Sequence, residues 1–488
     1  MQDNKNISEI KIENQKIIDN KELNIWEALV PVIILMTLLA YNIFYKDGAW
    51  FGDYSNQYIL LMGGGIAAVV GFFNKVSLKI MIAEVWENWK SVFVPIMILF
   101  LVGALAGTWL VSGIIPAMVY YGLQVLSPSI FLPASVVIAS IISIATGSSW
   151  TTSATVGIAL IGIGNALGIP TGMIAGAVIS GAYFGDKMSP LSDTTNLAPA
   201  MAGTDLFTHI KYMAFTTGPT ILITLVVFTI LSTTINTTGI ADISGLLETI
   251  KTTFHITPWL FIVPATVVGM ILMKTKPLVA LGIGVILAAV FAFIFQGDVL
   301  QSLSDSNFQS IINAILTDTE VHTENDKLTK LFSAGGMNGM LWTIFLIICA
   351  MVFGGIMDAI GALAKITKAL LTVATSTFGL FSSTVLSCVG LNIVASDQYL
   401  AIVIPGKMFK KAYEDKGLAP ENLSRTLEDS GTVTSVLIPW NTCGAYQSGV
   451  LGVSVSEYAA YAVFNYLSPI MTLVFAGFGI KIRQLVKK

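Results

Sequence analysis

Apolar runs long enough to cross a membrane alternate with short polar connections along nearly the whole chain. The first run extends from Trp26 to Phe44 and no small-residue cleavage pattern follows it, which predicts a retained first helix rather than a signal peptide. Further apolar segments, some too short for a complete crossing, are predicted at residues 58–73, 92–112, 114–126, 131–167, 212–231, 259–273, 278–295, 341–360, 363–375, 380–405, 423–446 and 458–478. The pattern predicts an all-α polytopic membrane protein with about 12 to 14 membrane segments, several of them discontinuous.

One apolar stretch, Met173–Met201, contains charges that a membrane interior disfavours. It begins as a Gly-rich helix and reaches Asp186 and Lys187, then breaks at Pro190 and continues through Asp193. Each charge at the bilayer centre costs about 2.5 to 3.5 kcal/mol, so a compensating function is expected. A broken helix offers unwound carbonyls and carboxylates to a small cation. This stretch is therefore predicted to form half of an ion-coupled transport site.

The chain also contains a weak internal repeat. A shift of about 248 residues places Ser148-Ser149 over Ser396-Asp397 and the segment 187–192 over 436–441, with two prolines coinciding. Lysines precede the segment 92–112 but follow its counterpart 341–360. Corresponding helices are therefore expected to run in opposite directions, as in transporters with inverted-topology repeats. Chance similarity between Gly-rich apolar helices is the alternative explanation.

The distribution of Lys and Arg predicts the orientation of the chain. If both termini are cytoplasmic, the lysine-rich connections all lie on the cytoplasmic side and the acidic connection lies outside. The predicted organisation is a cytoplasmic polar tail (1–24), N-terminal helices with an interfacial segment (25–90), the first inverted repeat (91–233), connecting helices with an acidic extracellular loop (234–336), the second inverted repeat (337–480) and a cytoplasmic tail (481–488).

Composition narrows the functional classes. Hydrophobic residues make up 54% of the 488 residues and charged residues only 11%, which excludes an ordinary soluble enzyme. The net charge of −3 and the absence of a basic stripe argue against a nucleic-acid partner. Cys349, Cys388 and Cys443 are isolated and predict neither a disulfide framework nor a zinc site. No nucleotide-binding or catalytic motif occurs, so neither an enzyme, a primary pump nor a cofactor is expected.

Four polar clusters at the predicted breaks contain the candidate ligands. Hard oxygen atoms suit a cation such as sodium, and Asp193 and Asp397 are predicted as the principal cation or proton carboxylates. Asp186, Lys187 and Asp429 are predicted to tune or gate them. The neutral candidates are Ser148, Ser149, Thr152, Thr194, Asn196, Gln398, Asn441 and Thr442.

Each candidate has a structural alternative. Glu428 and Asp193 can cap helix N-termini. Lys187 can be a structural counter-ion to Asp193 or to an acid of the second half, or it can take part in proton release. The hydroxyl groups can bond back to the preceding helical turn. Trp440 can form the floor of an organic-substrate pocket, or it can simply anchor the helix break.

At these breaks the sequence resembles the NhaC family of bacterial sodium/proton antiporters. The resemblance lies in GSSWTTSATVG at Gly147–Gly157, GDKMSPLSDTTNLA at Gly185–Ala198, SDQYLAIVIPGKMF from Ser396 and NLSRTLEDSGTVTSVLIPWNTCGAY from Asn422. It implies a secondary transporter of the bacterial inner membrane. Asp186, Asp193, Asp397 and Asp429 occupy positions that are acidic in that family.

The leading hypothesis is therefore a sodium/proton antiporter that works by alternating access. A similar branch of the family exchanges malate for lactate, and other relatives are suspected of moving amino acids. The alternative is thus a sodium- or proton-coupled carrier or exchanger of a small organic acid or amino acid. The expected partners are small ions, a small organic substrate under the alternative, and the lipid bilayer. A homodimer is compatible with the sequence.

Overall fold

The computed structural model describes residues 7–12, 15–46, 49–125, 127–235, 243–273, 275–372 and 374–485. Residues 1–6, 13–14 and 486–488 of the two predicted tails lie outside this part. The described chain is overwhelmingly helical, with two small two-stranded ladders. This confirms the predicted all-α class.

The N-terminal elements form a hairpin followed by three helices. They are β1 (Ile7–Ile12), β2 (Gln15–Asn20), α1 (Ile25–Tyr45), α2 (Ser55–Phe73) and α3 (Leu78–Ser91). β1 and β2 pair antiparallel. β2 packs against the turn at Gly361, where a Cβ added to the glycine would lie 2.8 Å from the backbone nitrogen of Asn20. The β2 part of the polar tail is thus docked on the helices, which its composition did not predict.

The segment predicted as the first repeat contains eight helices, and a π-helical turn at Ser153–Gly157 joins the fourth to the fifth. They are α4 (Phe93–Val111), α5 (Ile114–Val125), α6 (Pro128–Thr146), α7 (Ser149–Thr152), α8 (Ile158–Ala166), α9 (Thr171–Met188), α10 (Asp193–Ala202) and α11 (Leu206–Thr234).

The connecting segment is folded rather than an open loop. Its elements are α12 (Ile243–Thr253), α13 (Ile262–Leu272), α14 (Pro277–Phe295), α15 (Gly297–Leu303), α16 (Asn307–Leu316), β3 (Thr319–Glu320), α17 (Asp326–Leu331) and β4 (Ser333–Ala334). β3 pairs antiparallel with β4. α16 packs against α4, so part of the predicted acidic loop belongs to the helical body.

The C-terminal segment repeats the order of the first. Its helices are α18 (Leu341–Ala359), α19 (Ala362–Thr372), α20 (Thr377–Val394), α21 (Gln398–Asp415), α22 (Pro420–Leu427), α23 (Thr442–Leu451), α24 (Val455–Tyr458) and α25 (Val463–Gly477). A π-helical turn at Glu428–Thr432 extends α22. The apolar segments at 380–405 and 423–446 are each interrupted near Asp397 and Asn441, within the predicted breaks at residues 392–398 and 428–442.

Backbone conformation shows the repeat more clearly than residue identity does. The seven helices that begin at Phe93, Ile114, Pro128, Ser149, Thr171, Asp193 and Leu206 have counterparts that begin 248 or 249 residues later, at Leu341, Ala362, Thr377, Gln398, Pro420, Thr442 and Val455. Left-handed residues recur at the same spacing, in the pairs Gly113 and Gly361, Gly147 and Ser396, Gly168 and Gly417, and Gly203 and Gly452. Since φ above zero is rare, four coincident positions are difficult to attribute to chance.

Eight single helices in the described residues are long and apolar enough to cross a membrane. Two bent pairs, with angles of 83° and 52°, can each form a further span. The predicted number of 12 to 14 segments also includes short or broken helices such as α5 and α9. These observations describe a multi-pass membrane protein.

Small residues allow the helices to approach closely. An added Cβ at Gly107 would lie 1.8 Å from the carbonyl oxygen of Ala314 on α16, and one at Gly103 would lie 2.2 Å from that of Gly336. Gly181 and Gly185 of α9 face α6 in the same way. The glycine pairs therefore act as packing surfaces.

Replacement of Gly107 by Ala should disrupt the contact between α4 and α16. Overpacking of this kind typically costs about 1 to 3 kcal/mol, and the clash here is with backbone. We expect a lower unfolding temperature in detergent, measured by scanning fluorimetry.

Gly65→Ala is the matched control, because Gly65 lies within α2 and has no atom within 4 Å of its added Cβ. Gly65→Ala should leave the unfolding temperature unchanged or slightly raised. Equal behaviour of the two variants would contradict the packing role of Gly107.

Candidate functional site

Four helices begin immediately after the breaks, and each has a side-chain cap. Ser148 accepts the Thr151 N–H at 3.2 Å, and Ser192 accepts the Thr195 N–H at 3.4 Å. The repeat places Asp397 opposite Ser148 and Asn441 opposite Ser192. The positive ends of α7, α10, α21 and α23 thus turn towards buried polar groups.

Asp397 is used as a helix cap, a role that its sequence context did not predict. Its Oδ1 accepts the N–H groups of Tyr399 at 2.8 Å and Leu400 at 3.0 Å, and the residue is 7% exposed. Two backbone donors and a helix dipole stabilise this carboxylate in its charged form. Oδ1 is therefore committed to α21.

Asp186 joins the two breaks of the first repeat. Its Oδ2 accepts the Ser149 N–H at 3.0 Å and the Ser149 hydroxyl at 2.6 Å. Its Oδ1 is buried and has no hydrogen-bond partner among the described residues. A buried oxygen of this kind is costly unless a cation or proton reaches it.

The breaks of the second repeat are joined by neutral groups. Thr442 donates its N–H to the Ser396 carbonyl at 3.0 Å, and the Asn441 amide donates to the Asn392 carbonyl at 3.0 Å. Trp440 donates its indole N–H to Ile393 O at 2.8 Å. The indole of Trp440 therefore anchors the break.

Two contacts bring the repeats together at the breaks. The Tyr399 hydroxyl donates to Asp193 Oδ2. The Thr194 hydroxyl donates to Glu428 Oε1 at 3.1 Å and also lies 3.2 Å from the Ser192 hydroxyl. Asp193 is exposed, whereas Thr194 and Glu428 are buried. A polar path thus leads from an accessible carboxylate to an enclosed one.

A fully buried ion pair links the repeats beside this path. Lys187 Nζ bonds to Asp429 Oδ1 and to Ser468 Oγ, the latter at 2.9 Å. Asp429 Oδ2 also accepts the hydroxyls of Thr216, at 2.9 Å, and Thr472. Both charges are compensated, so Lys187 is a counter-ion to an acid of the second half. This is one of the two alternatives that the sequence left open.

Several predicted ligands bond locally. The Thr152 hydroxyl donates to the Ser148 carbonyl at 2.9 Å, and the amide of Asn196, an exposed residue, donates to Pro190 O at 3.0 Å and Ser192 O at 2.6 Å. Gln398 is buried as the first residue of α21. These residues shape the helix ends. Among the predicted ligands, links between elements or repeats are formed by Ser149, Asp186, Asp193, Thr194, Asn441, Thr442 and the Lys187–Asp429 pair.

Glu428 and Tyr399 are absent from the predicted ligand set. The alternative of Glu428 as a helix cap is wrong, because it begins a π-helical turn inside continuous helix and binds Thr194 instead. Its signal was the adjacent acidic pair at 428–429 within a segment rich in hydroxyl residues. The only sequence signal for Tyr399 as a site residue was its position two residues after Asp397, the N-cap of α21.

No group of three or more His, Cys, Asp or Glu side chains is arranged to hold a metal ion in the described chain. A sodium site here would combine carboxylates with hydroxyl or carbonyl oxygens. Such mixed oxygen sets occur at broken helices in transporters.

A family profile described as "Na+/H+ antiporter family" matches residues 181–480. The chain belongs to this family. The match includes the second interrupted stretch of the first repeat and all of the second repeat, so the family assignment covers α10, α21, α22 and α23. It confirms the predicted resemblance and the prediction of a transporter.

Full-length relatives agree with the family assignment. A protein named Na(+)/H(+) antiporter NhaC from Alkalihalophilus pseudofirmus is 37% identical over 415 residues, which cover 85% of this chain and 88% of the relative. A Malate-2H(+)/Na(+)-lactate antiporter from Bacillus subtilis is 34% identical, with 93% of this chain and 92% of the relative covered. An Arginine/ornithine antiporter, ArcD, from Halobacterium salinarum is 36% identical, with 79% of each chain covered.

The substitution Lys187→Met should destabilise this antiporter family member, because it leaves Asp429 charged, buried and without its counter-ion. Removal of one partner of a buried pair costs about 3 to 5 kcal/mol. We expect a markedly lower unfolding temperature in detergent than for the wild type.

The double variant Lys187→Met/Asp429→Asn is the matched control, because Thr216 and Thr472 can still bond to the amide. It should be more stable than Lys187→Met alone. A double variant that is less stable than the single one would argue against charge compensation as the reason for the pair.

Proposed function

We propose that this protein exchanges sodium ions for protons across the bacterial inner membrane by alternating access. The observation that supports this proposal is the meeting of the repeats at Asp193. The exposed Asp193 carboxylate of α10 accepts a hydrogen bond from the Tyr399 hydroxyl at the start of α21, the helix that Asp397 caps. A carboxylate that cannot hold Na+ and H+ together couples their movements by competition.

The unequal exposure of the carboxylates supports alternating access. Asp193 is exposed, whereas Asp186 and Asp397 are each 7% exposed. An ion that reaches Asp193 has a hydrogen-bonded route inward through Ser192, Thr194 and the second repeat. Asp193 would be the entrance carboxylate and Asp397 the carboxylate on the opposite wall of the route.

We also propose that both termini are cytoplasmic. The N-terminal hairpin lies beside Lys75, which is 3.6 Å from Glu22, and the C-terminal segment places Arg483 2.7 Å from Glu421. Both tails therefore pack on helix ends near lysine-rich connections, which favour the cytoplasmic side.

A transmembrane potential supplies about 2.3 kcal/mol per charge per 100 mV to bias the transport cycle.

The geometry supports small ions better than an organic cargo. Trp440, the predicted floor of an organic pocket, and its neighbour Asn441 direct their side chains to backbone groups at the break. Neither offers a free donor to a carboxylate ligand. Relatives named for malate, lactate, arginine and ornithine nevertheless make organic cargo the competing outcome of the test.

The test uses everted membrane vesicles from an antiporter-deficient bacterium. After a respiratory substrate has acidified the lumen, addition of NaCl should dissipate the pH gradient, followed by acridine orange fluorescence. Asp193→Asn should abolish this response, because the amide can neither release a proton nor supply a negative charge.

Asp305→Asn, which changes an exposed acid in the connecting segment, should respond like the wild type. If NaCl leaves the gradient of the wild type intact while malate, lactate or an amino acid dissipates it, sodium/proton exchange is the wrong function.

A further inference from the structure

Glu428 lies deep in the protein and one of its oxygens has no partner. The residue is fully buried, and Oε1 accepts the Thr194 hydroxyl at 3.1 Å. Oε2 has no hydrogen-bond partner within the part of the chain that the structure describes. A buried carboxylate with an unsatisfied oxygen requires a proton or a cation to offset its desolvation.

Asp186 supplies the same feature from the other repeat. It is 7% exposed, and its Oδ1 likewise has no hydrogen-bond partner among the described residues. Thr195, the neighbour of Thr194 on α10, donates its hydroxyl to the Asp186 carbonyl at 3.2 Å, so adjacent residues of α10 bond to Asp186 and to Glu428. Two neighbouring buried carboxylates cannot both remain charged without a cation between them.

A neutral oxygen stands next to Glu428. The hydroxyl of Thr432, one helical turn further along, is buried and also has no partner in the described ranges. Glu428 and Thr432 are the two ends of the π-helical turn. Such turns occur rarely within helices and frequently at functional sites.

Nearby charges do not already satisfy this pair. The Lys187 Nζ is bonded to Asp429 and Ser468. Asp429 has Lys187, Thr216 and Thr472 as donors, so both of its oxygens are bonded. Asp186, Glu428 and Thr432, by contrast, each keep one oxygen without a partner among the described residues.

We propose that Glu428 and Asp186, one carboxylate from each repeat, form an inner site that holds either one sodium ion or one proton, with Thr432 and Thr194 as neutral ligands. Without sodium the proton resides on the pair. When Na+ enters from Asp193, it binds the carboxylate oxygens and the proton leaves to solvent, so charge and atoms balance. The inference rests on the proposed sodium/proton exchange and names Glu428 as a binding residue for it.

The experiment measures proton release from purified protein rather than transport. The full chain in detergent, in weakly buffered solution with a pH-sensitive dye, receives NaCl or an equal concentration of choline chloride. The wild type should release protons with NaCl only. Glu428→Gln should reduce this release by about tenfold or more, since it removes the titrating group and about 1.4 kcal/mol or more of sodium affinity.

Glu248→Gln is the control, because Glu248 is exposed on α12, and its release should equal that of the wild type. Thr432→Val preserves the carboxylates and the shape of the side chain. It should weaken the apparent sodium affinity several-fold while leaving the protons released at saturating sodium unchanged. If Glu428→Gln does not give a monodisperse protein, Glu428→Asp replaces it and should also weaken sodium affinity.

The outcomes separate this inference from the proposed function. Wild-type proton release that persists in Glu428→Gln, or in the Asp variant with unchanged affinity, overturns the inner site while leaving sodium/proton exchange intact. A wild type that neither releases protons nor dissipates a pH gradient with sodium overturns the proposed function itself. An unchanged sodium affinity in Thr432→Val contradicts the assigned ligand set.

Discussion

The structure depends on how it accommodates charge and helix ends that are buried away from water. Four helices start at the breaks, and buried acidic residues and a buried lysine lie among them. Each requires compensation, because an uncompensated charge or a bare helix terminus costs several kcal/mol in a dry environment. The caps, the ion pair and the hydroxyl bridges supply it. The caps come from the same repeat as their helix, whereas the partners of Lys187, Glu428 and Asp193 come from the opposite repeat.

This requirement explains which parts the sequence could predict. Composition and spacing predict the apolar runs, the breaks near Pro190 and Gly147 and the weak repeat. They do so because buried helices require a periodic pattern of apolar residues in the sequence. The interruption near Asp397 was harder to recognise as the end of a helix. There a serine, Ser396, adopts the left-handed conformation that Gly147 adopts in the first repeat.

The partners of each buried side chain could not be predicted in the same way. Lys187 and Asp429 are 242 residues apart in the chain, and Thr194 and Glu428 are 234 apart. No local pattern encodes such a contact. Local reasoning therefore found the polar residues but assigned Asp397 a purely ion-binding role and overlooked Glu428 as a ligand. Whether a buried polar residue is a helix cap, a counter-ion or the owner of an unsatisfied oxygen can be seen only when both repeats are in place.

The matched backbone of the repeats carries unmatched side chains. Asp193 corresponds to Thr442, Asp186 to Ser435, and Ser148 to Asp397. If the two halves exchanged their conformations, the outward-open and inward-open arrangements would have the same backbone architecture. The charged side chains would be at different positions in the two arrangements. The two faces of the membrane would then encounter sites of different affinity, so ion gradients of equal size and opposite direction would drive exchange at different rates.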